Sequence, residues 1–324
     1  MAKISILGAG GWGIALACSL SDRHDVILWS LYQEEVDLLK KDRESKKLLP
    51  GVYIPKSIEI TSDIQKISGS DITVIATPSF AVRETAKRLR GLNTGIVTIV
   101  SKGFERESLL RLSEVVKQEL ESSVVAVLSG PSHAEEVAKK IPTMLTAVSN
   151  ERIAALAVQA VFSNEYLRVY TGDDIVGVEL GGALKNVIAV AAGVCDGMGL
   201  GDNSKAALIT RGLAEMTRLG VKMGAKAKTF AGLTGMGDLI VTCTSNHSRN
   251  NRFGKLVGKG TPIKEALEKV GTVEGYYAAL MAEELSRKYG VEMPICGLCY
   301  QMLYEGVPVE ESVKNLMTRP FKDE

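Results

Sequence analysis

Six residues near the N-terminus have the types and spacing of a phosphate-binding turn. The segment Gly8-Ala9-Gly10-Gly11-Trp12-Gly13 fits the pattern Gly-x-Gly-x-x-Gly and follows the short apolar run Lys3–Leu7. In such a turn the first glycine (Gly8) permits the sharp bend, the second (Gly10) lets a pyrophosphate approach the backbone, and the third (Gly13) lets the next helix pack on the strand. Amides at the helix start then face the phosphates. We therefore predict that this segment binds a dinucleotide.

The end of the second predicted strand bears on which dinucleotide binds. An Asp or Glu about 20 residues after the glycine turn commonly holds the ribose 2′-hydroxyl of NAD. Here the corresponding segment is Trp29-Ser30-Leu31-Tyr32. It has no carboxylate to repel a 2′-phosphate and no arginine to attract one. We expect NADP or NAD as the cofactor, and the missing carboxylate favours NADP.

A single lysine lies at the centre of a long apolar segment. Residues Val176–Cys195 read VGVELGGALKNVIAVAAGVC, which is apolar nearly all round and predicts a buried helix. A buried ammonium is costly unless it is paired, partly hydrated or shifted in pKa, so Lys185 needs a special environment. The neighbouring Asn186 favours a polar site over a lysine that extends its head to solvent. A lysine with a lowered pKa can serve as a general acid or base.

Three further polar segments could bind a carbonyl group or an anion. Ser101-Lys102-Gly103 follows a predicted strand, where α/β folds place ligand-binding groups. Residues 128–135, LSGPSHAE, form a strand-to-helix turn in which we expect Ser132 to cap the helix and Glu135 to complete a capping box. Ser248-Arg249-Asn250-Asn251 is placed to begin a helix and could hold an oxyanion or phosphate, although such a pattern is also typical of a solvated loop.

The elements that must position these groups change in character along the chain. Near-continuous apolar strands alternate with helices in the first half, which predicts a parallel sheet covered on both faces. Residues 150–172 suit a last helix and strand, and residues beyond them form long helical segments. The predicted fold is therefore α/β: an N-terminal Rossmann-type doubly wound sheet, residues 1–172, followed by an all-α C-terminal domain, residues 173–324. The predicted strands are Lys3–Leu7, Asp25–Trp29, Asp71–Ala76, Gly95–Val100, Val124–Leu128 and Met144–Val148.

Composition excludes several classes of protein. The chain has 324 residues, with 39 Lys and Arg against 38 Asp and Glu, so it lacks the basic excess that nucleic-acid binding needs. Cys296 and Cys299 form a lone C-x-x-C without a second ligand pair, so we expect no metal site. The N-terminus does not resemble a signal peptide, and the charges in Val176–Cys195 make it a poor membrane span. We expect a cytoplasmic protein.

Taken together, these segments resemble the bacterial NAD(P)-dependent glycerol-3-phosphate dehydrogenases over nearly the whole chain. Their order and spacing match the family pattern, which is much more specific than the glycine turn alone. Two positions depart from it: Gly11 replaces a common serine, and Leu31 replaces a basic residue usual after Trp29-Ser30. The matching segments are GAGGWGIALA, SKGFE, LSGPSHAEEV, ELGGALKNVIAVAAGVCDGMGLGDNSKAALITRGLAEM, GLTGMGDLIVTCTSNHSRNNRFG and TVEGYYAA.

The resemblance implies an activity and a set of site residues. The family reduces dihydroxyacetone phosphate to sn-glycerol 3-phosphate, a precursor of phospholipids, and Lys185 would be its general acid/base. The residues that would bind substrate are Lys102, Gly130, Ser132, Lys185, Asp238, Ser248, Arg249 and Asn250. Those that would contact the cofactor, beside Gly8 and Gly13, are Gly10, Gly11, Trp12, Lys102, Ala134, Arg249, Val273 and Glu274, with Thr272 as an alternative contact.

Two other functions remain open at this stage. One is a different two-domain reductase, of the 2-hydroxyacid or ketopantoate type, against which the Ser248–Asn251 pattern argues. The other is a nicotinamide-binding sensor without turnover, which is disfavoured because a buried lysine with no catalytic use would only cost stability. We also expect a homodimer, with a small-molecule substrate as the ligand.

Overall fold

A single sheet of eight strands organises the first half of the residues that this computed structural model describes, 1–321. The strand order is β3-β2-β1-β4-β5-β6-β7-β8, and every neighbouring pair is parallel except β6 and β7. In chain order the strands are β1 (Lys3–Leu7), β2 (Asp25–Trp29), β3 (Glu59–Thr61), β4 (Ile72–Ile75), β5 (Ile96–Ile99), β6 (Val125–Ser129), β7 (Thr143–Ser149) and β8 (Leu167–Gly172).

Helices cover both faces of this sheet because its strands are apolar on both sides. Ile4 and Ile6 belong to one buried cluster, which α1 and α6 complete. Leu7 and Ile75 belong to a second cluster on the other face, with residues of α3 and α4. The helices are α1 (Gly11–Leu20), α2 (Gln33–Asp42), α3 (Val82–Arg88), α4 (Leu112–Glu119), α5 (Ala134–Ala138) and α6 (Arg152–Phe162).

The predicted strands agree with the observed ones to within one or two residues at each end, and α6 and β8 confirm the helix and strand expected in residues 150–172. Two features differ from the prediction. The three-residue strand β3 was missed because so short a run has no detectable period. Strand β7 runs antiparallel to β6, with Val127 opposite Val148. A buried strand is apolar throughout in either direction, so the sequence pattern does not distinguish the two.

The chain divides into two compact units, Met1–Glu179 and Leu180–Glu324. Helices form the second unit in its described part, so the predicted α/β fold with an all-α second half is confirmed. The predicted domain boundary after residue 172 stays a prediction, and residues 322–324 of that domain lie outside the described part. The helices are α7 (Ile175–Met198), α8 (Gly201–Lys222), α9 (Ala227–Phe230), α10 (Asp238–Thr244), α11 (Arg249–Gly258), α12 (Ile263–Val270), α13 (Glu274–Tyr289), α14 (Pro294–Tyr300) and α15 (Val309–Met317).

Helices α7 and α11 pack backbone against backbone. A Cβ on Gly254 of α11 would lie 2.1 Å from the Val190 carbonyl oxygen of α7. A Cβ on Gly193 of α7 would lie 2.2 Å from the Asn251 carbonyl oxygen of α11. Real Cβ atoms do not approach so closely, so glycine is required on both helices for this contact. The start of α11 is thereby fixed relative to α7.

Helix α7 is long and apolar enough, by length and composition alone, to cross a membrane. Protein buries 89% of its most apolar stretch, however. A covered apolar surface is typical of a core helix, which agrees with the expectation that this segment is a poor membrane span.

Candidate active site

The glycine turn after β1 has the geometry that dinucleotide binding needs. Gly8 has a φ of +118°, and its N–H donates to the Trp29 carbonyl at 2.9 Å. A Cβ on Gly13 would lie 2.0 Å from the Gly8 carbonyl oxygen, so only glycine lets α1 pack this close to the turn. A Cβ on Gly10, in contrast, would meet nothing within 4 Å. The backbone at Gly10 therefore borders open space, where a pyrophosphate fits against the first amides of α1.

Gly11 lies where three parts of the first unit meet. A Cβ at this position would lie 2.8 Å from the Leu48 carbonyl oxygen and 3.7 Å from the Cβ of Ala134, at the start of α5. The predicted cofactor residues Gly11 and Ala134 are thus neighbours, and the half-buried Trp12 follows directly in α1. A serine at position 11 would require the chain around Leu48 to move.

The side chain of Lys102 connects the ends of two neighbouring strands. Its Nζ donates to the Gly130 carbonyl at 2.9 Å and to Ser132 Oγ at 3.3 Å. Lys102 follows β5 and Gly130 follows β6, so both lie at the carboxyl ends of parallel strands. Open α/β sheets bind their ligands at this edge. The structure therefore brings together three of the predicted substrate residues in the first unit.

The prediction that Ser132 caps α5 is wrong. The helix begins at Ala134, and His133 occupies the N-cap position without a side-chain capping bond. Ser132 Oγ donates instead to the Gly130 carbonyl at 3.0 Å. Because Gly130 has a φ of +136°, the chain turns before the helix begins. The hydroxyl consequently lies beside Lys102 rather than at the helix start.

Lys185 is buried and paired. Its Nζ donates to Asp238 Oδ1 and, at 2.8 Å, to Thr242 Oγ1. The Asp238 side chain is 1% exposed and that of Lys185 is 7% exposed, so this is an ion pair taken almost entirely out of water. Such a pair holds the ammonium in one position, and the 7% exposure of the Lys185 side chain leaves a small part of it at the surface.

A close contact between α7 and the turn before α10 sets this geometry. Asp238 is the first residue of α10 and follows the π-helical turn Leu233–Gly237. A Cβ on Gly181, one turn before Lys185 in α7, would lie 2.5 Å from the Thr234 carbonyl oxygen. Glycine at position 181 therefore lets the turn approach α7 and places Asp238 against Lys185. π-Helical turns are frequent at functional sites.

Thr242 contacts Lys185, but the sequence did not predict it as a site residue. It is buried, and its Oγ1 donates to the Asp238 carbonyl at 2.5 Å as well as accepting from Lys185. The available signal was its spacing, since a residue four positions after Asp238 lies on the same face of a helix. That signal has meaning only once Asp238 is known to begin a helix.

Asn186 connects α7 to the starts of two other helices. Its Oδ1 accepts from Asn250 Nδ2 at 2.9 Å, and Asn250 Oδ1 accepts from the Gly275 N–H at 2.8 Å. A Cβ on Gly275 would lie 2.4 Å from the Asn186 carbonyl oxygen. The predicted polar environment of Lys185 and Asn186 is therefore present in the second unit.

The start of α11 carries several groups of the kind that bind anions. Ser248 is its N-cap residue and accepts from the Asn251 N–H at 3.2 Å, while Arg249 is exposed at the first helical position. The start of α13 adjoins it through Asn250, with Val273 as N-cap and Glu274 as the first residue. Free amides, a hydroxyl and a guanidinium at one helix start suit a phosphate group.

The cysteine thiols have raised pKa values because they are buried, and the described residues contain no cluster of metal ligands. Burial raises the pKa of the Cys18 thiol to about 11 and the pKa values of Cys243 and Cys299 to about 12. Within the described residues no group of three or more His, Cys, Asp and Glu side chains could hold a metal ion. Cys296 lies buried with Cys299 on α14, and burial raises its pKa as well.

Family models of the NAD-dependent glycerol-3-phosphate dehydrogenases match both halves of the chain. The model described as the N-terminus matches residues 3–155, and the model described as the C-terminus matches residues 174–314. The chain belongs to the NAD-dependent glycerol-3-phosphate dehydrogenase family. The family expected from the sequence is thus confirmed.

Individual members of this dehydrogenase family are similar over their full length. The chain is 51% identical to a glycerol-3-phosphate dehydrogenase [NAD(P)+] of Bacillus pumilus, over 98% of the chain and 95% of the relative. It is 48% identical to one of Clostridium perfringens, over 100% and 99%. Among solved structures, the glycerol-3-phosphate dehydrogenase of Coxiella burnetii has a TM-score of 0.94 at 38% identity, covering 98% of this chain and 99% of that one.

A ketopantoate reductase of Ralstonia eutropha represents the rival reductase class. Its TM-score is 0.61 at 14% identity, over 96% of this chain and 99% of that one, so the likeness shows the fold alone.

Proposed function

We propose that this protein reduces dihydroxyacetone phosphate to sn-glycerol 3-phosphate, with NADH or NADPH as the reductant. Family membership supports this activity, because the relatives from Bacillus pumilus and Clostridium perfringens are glycerol-3-phosphate dehydrogenases [NAD(P)+]. In the structure, the observation that carries the proposal is the buried ammonium of Lys185, held by Asp238 and Thr242. The product is a backbone for glycerophospholipids, and we propose that role for it.

Lys185 acts as the general acid. A reduced nicotinamide dinucleotide held at the glycine turn would supply the hydride that the ketone carbon accepts. Lys185 Nζ donates a proton to the carbonyl oxygen, on which negative charge develops, so its positive charge stabilises the transition state as well. Asp238 and Thr242 hold Nζ in place, and the lysine regains its proton from solvent.

The remaining substrate residues align the ketone. Ser248, Arg249 and Asn250 at the start of α11 bind the phosphate, and binding energy at this remote group is used to align the reacting carbon. Lys102 adds a second positive charge, with the Gly130 carbonyl and the Ser132 hydroxyl as its partners.

The cofactor residues fall into two groups. Amides at the start of α1 and the open backbone at Gly10 accept the pyrophosphate. In the first unit, Lys102 and the start of α5 are the other proposed cofactor contacts; in the second unit, the proposed contacts are at the starts of α11 and α13. The proposed set is Gly8, Gly10, Gly11, Trp12, Gly13, Lys102, Ala134, Arg249, Val273 and Glu274.

The experiment that tests this function is an assay of cofactor oxidation with dihydroxyacetone phosphate and either NADH or NADPH. Lys185→Met should lower kcat by about 10²–10⁴-fold while dinucleotide binding, measured by calorimetry, survives. Lys205→Met is the matched control, because Lys205 pairs with Asp196 in the same unit at 2.7 Å. A Lys185→Met protein that turns over like the control would reject the role of Lys185.

A second assay tests the phosphate site. Arg249→Met should raise KM for dihydroxyacetone phosphate much more than KM for unphosphorylated dihydroxyacetone. Equal losses with both ketones would show that Arg249 serves the cofactor or the fold instead.

We further propose that the protein acts in the cytoplasm as a homodimer, that its partners are small molecules rather than nucleic acids, and that its domains span residues 1–172 and 173–324. Light scattering on the purified protein gives the oligomeric state directly.

A further inference from the structure

A carboxylate lies at the end of β2, where the segment Trp29–Tyr32 shows none. Ser30, the residue after the strand, donates from Oγ to Glu35 Oε2. The Tyr32 N–H donates to the same Ser30 Oγ at 3.3 Å, so the chain turns here and brings the first turn of α2 back to the strand end. Ser30 is buried and Glu35 is half-buried. The contact joins residues five positions apart, so the segment at the strand end does not itself contain the carboxylate.

This Ser30–Glu35 pair lies beside the phosphate-binding turn. The Trp29 carbonyl, one residue before Ser30, accepts the N–H of Gly8 at 2.9 Å. Leu7 of β1 and Trp29 of β2 are partners in the parallel ladder, so the two strands end together. In a dinucleotide-binding fold the adenosine ribose is held at the end of the second strand, next to the glycine turn. The carboxylate therefore lies at the strand end where folds of this kind hold the adenosine ribose.

The charges in the first turn of α2 are negative, and the lysines of this helix, Lys40 and Lys41, lie in its last turn. Glu34 and Glu35 both lie in the first turn of α2, and the sequence between Ser30 and Leu39 contains no lysine or arginine. The next arginine, Arg43, donates from its guanidinium to the carbonyls of Pro55 and Ile58 at 3.3 and 3.1 Å. Its charge is thus bound elsewhere in the unit.

We infer that Glu35 sets the cofactor preference and that this protein prefers NADH to NADPH. The Glu35 carboxylate accepts a hydrogen bond from the ribose 2′-hydroxyl of NAD and repels the two negative charges of a 2′-phosphate. This inference rests on the proposed function only in requiring that a dinucleotide binds to the glycine turn. The absence of a carboxylate in Trp29–Tyr32 favours NADP in the sequence analysis. The contact between Glu35 and Ser30 leads to the opposite preference.

The test compares the two cofactors by binding and by turnover. Isothermal calorimetry gives Kd for NADH and NADPH, and kcat/KM is measured for each with dihydroxyacetone phosphate. Wild-type protein should favour NADH by about tenfold or more in both measurements, which corresponds to about 1.4 kcal/mol. Glu35→Gln should reduce this preference about tenfold, chiefly by tighter binding of NADPH.

Two further variants make the result specific. Glu34→Gln removes the same charge from the neighbouring exposed position, and it should leave the NADH-to-NADPH ratio within about twofold of wild type because a surface charge is strongly screened. Ser30→Ala removes the hydroxyl that orients Glu35, and it should shift the ratio in the same direction as Glu35→Gln by a smaller factor. A preference for NADPH in the wild type, or a ratio that Glu35→Gln does not change, would overturn the inference while leaving the proposed reaction intact. Binding of neither dinucleotide would overturn both.

Discussion

Replacing Gly254 with alanine should push helix α11 away from helix α7. Helix α11 carries the proposed phosphate site, and helix α7 carries Asn186. The new methyl group would lie 2.1 Å from the Val190 carbonyl oxygen, whereas real Cβ contacts begin near 3.0 Å. Helix α11 must therefore move away from α7 by about 1 Å. The hydrogen bond between Asn186 Oδ1 and Asn250 Nδ2, now 2.9 Å long, would stretch beyond its useful range.

The free energy of unfolding should fall in consequence. Overpacking costs about 1–3 kcal/mol, and alanine returns up to about 1 kcal/mol through its higher helix propensity. Because the clash is with backbone, the overpacking cost belongs in the upper half of its range, and the net loss is about 1–2 kcal/mol, or a Tm lower by about 2–8 °C for a unit of this size. A displacement of about 1 Å at a reacting group can cost about 10²-fold in rate. We therefore expect kcat/KM of the Gly254→Ala variant to fall by up to about 10²-fold.

Gly297→Ala is the matched control for this variant. Gly297 is a helical glycine of α14, and its Cβ would meet only the end of the Glu283 side chain, at 3.4 Å. The same chemical change should therefore raise Tm by about 2–4 °C and leave kcat/KM unchanged. Equal changes in Tm, measured by differential scanning calorimetry, and in kcat/KM for both variants would contradict the close contact between α7 and α11.

Two further predictions concern ion pairs. Asp238→Leu should destabilise the protein by about 3–5 kcal/mol in urea because it leaves a buried ammonium unpaired, and adding Lys185→Met should recover most of that loss; additive losses would contradict the pairing. Arg83 donates to both carboxylate oxygens of Glu105 and thereby lowers the pKa of that carboxyl below 4.5. The stabilisation is present above pH 4.5 and lost as the pH falls through the lowered pKa, so Arg83→Met should lower stability by about 1–2 kcal/mol at neutral pH and by progressively less below pH 4.5. A stability gap that stays constant down to pH 3 in urea titrations would exclude this pair as its source.

The sequence predicted those parts of the site that local pattern determines. The turn from Gly8 to Gly13 is recognisable because three glycines between a strand and a helix have one common use. Lys185 stands out because a charge in an apolar helix is costly. The first two strands agree with the prediction residue for residue, since each is a short apolar run with clear ends.

Residues whose roles depend on tertiary contacts could not be predicted in the same way. Thr242 becomes part of the site only because α10 packs against α7, and Glu35 reaches Ser30 only because the chain turns between β2 and α2. Ser132 was assigned to a helix cap from spacing alone, and the positive φ of Gly130 placed its hydroxyl elsewhere. In each case the missing information was the direction of a side chain.

The buried thiols affect how this enzyme can be handled and inhibited. With a pKa of about 11, the half-buried Cys18 is ionised in only about one molecule in ten thousand at pH 7, and Cys243 and Cys299 are ionised still less. Maleimides, acrylamides and peroxide react with thiolates, so none of them finds a fast-reacting target among these three side chains. Covalent inhibitors that depend on a thiolate would therefore label these three positions only slowly.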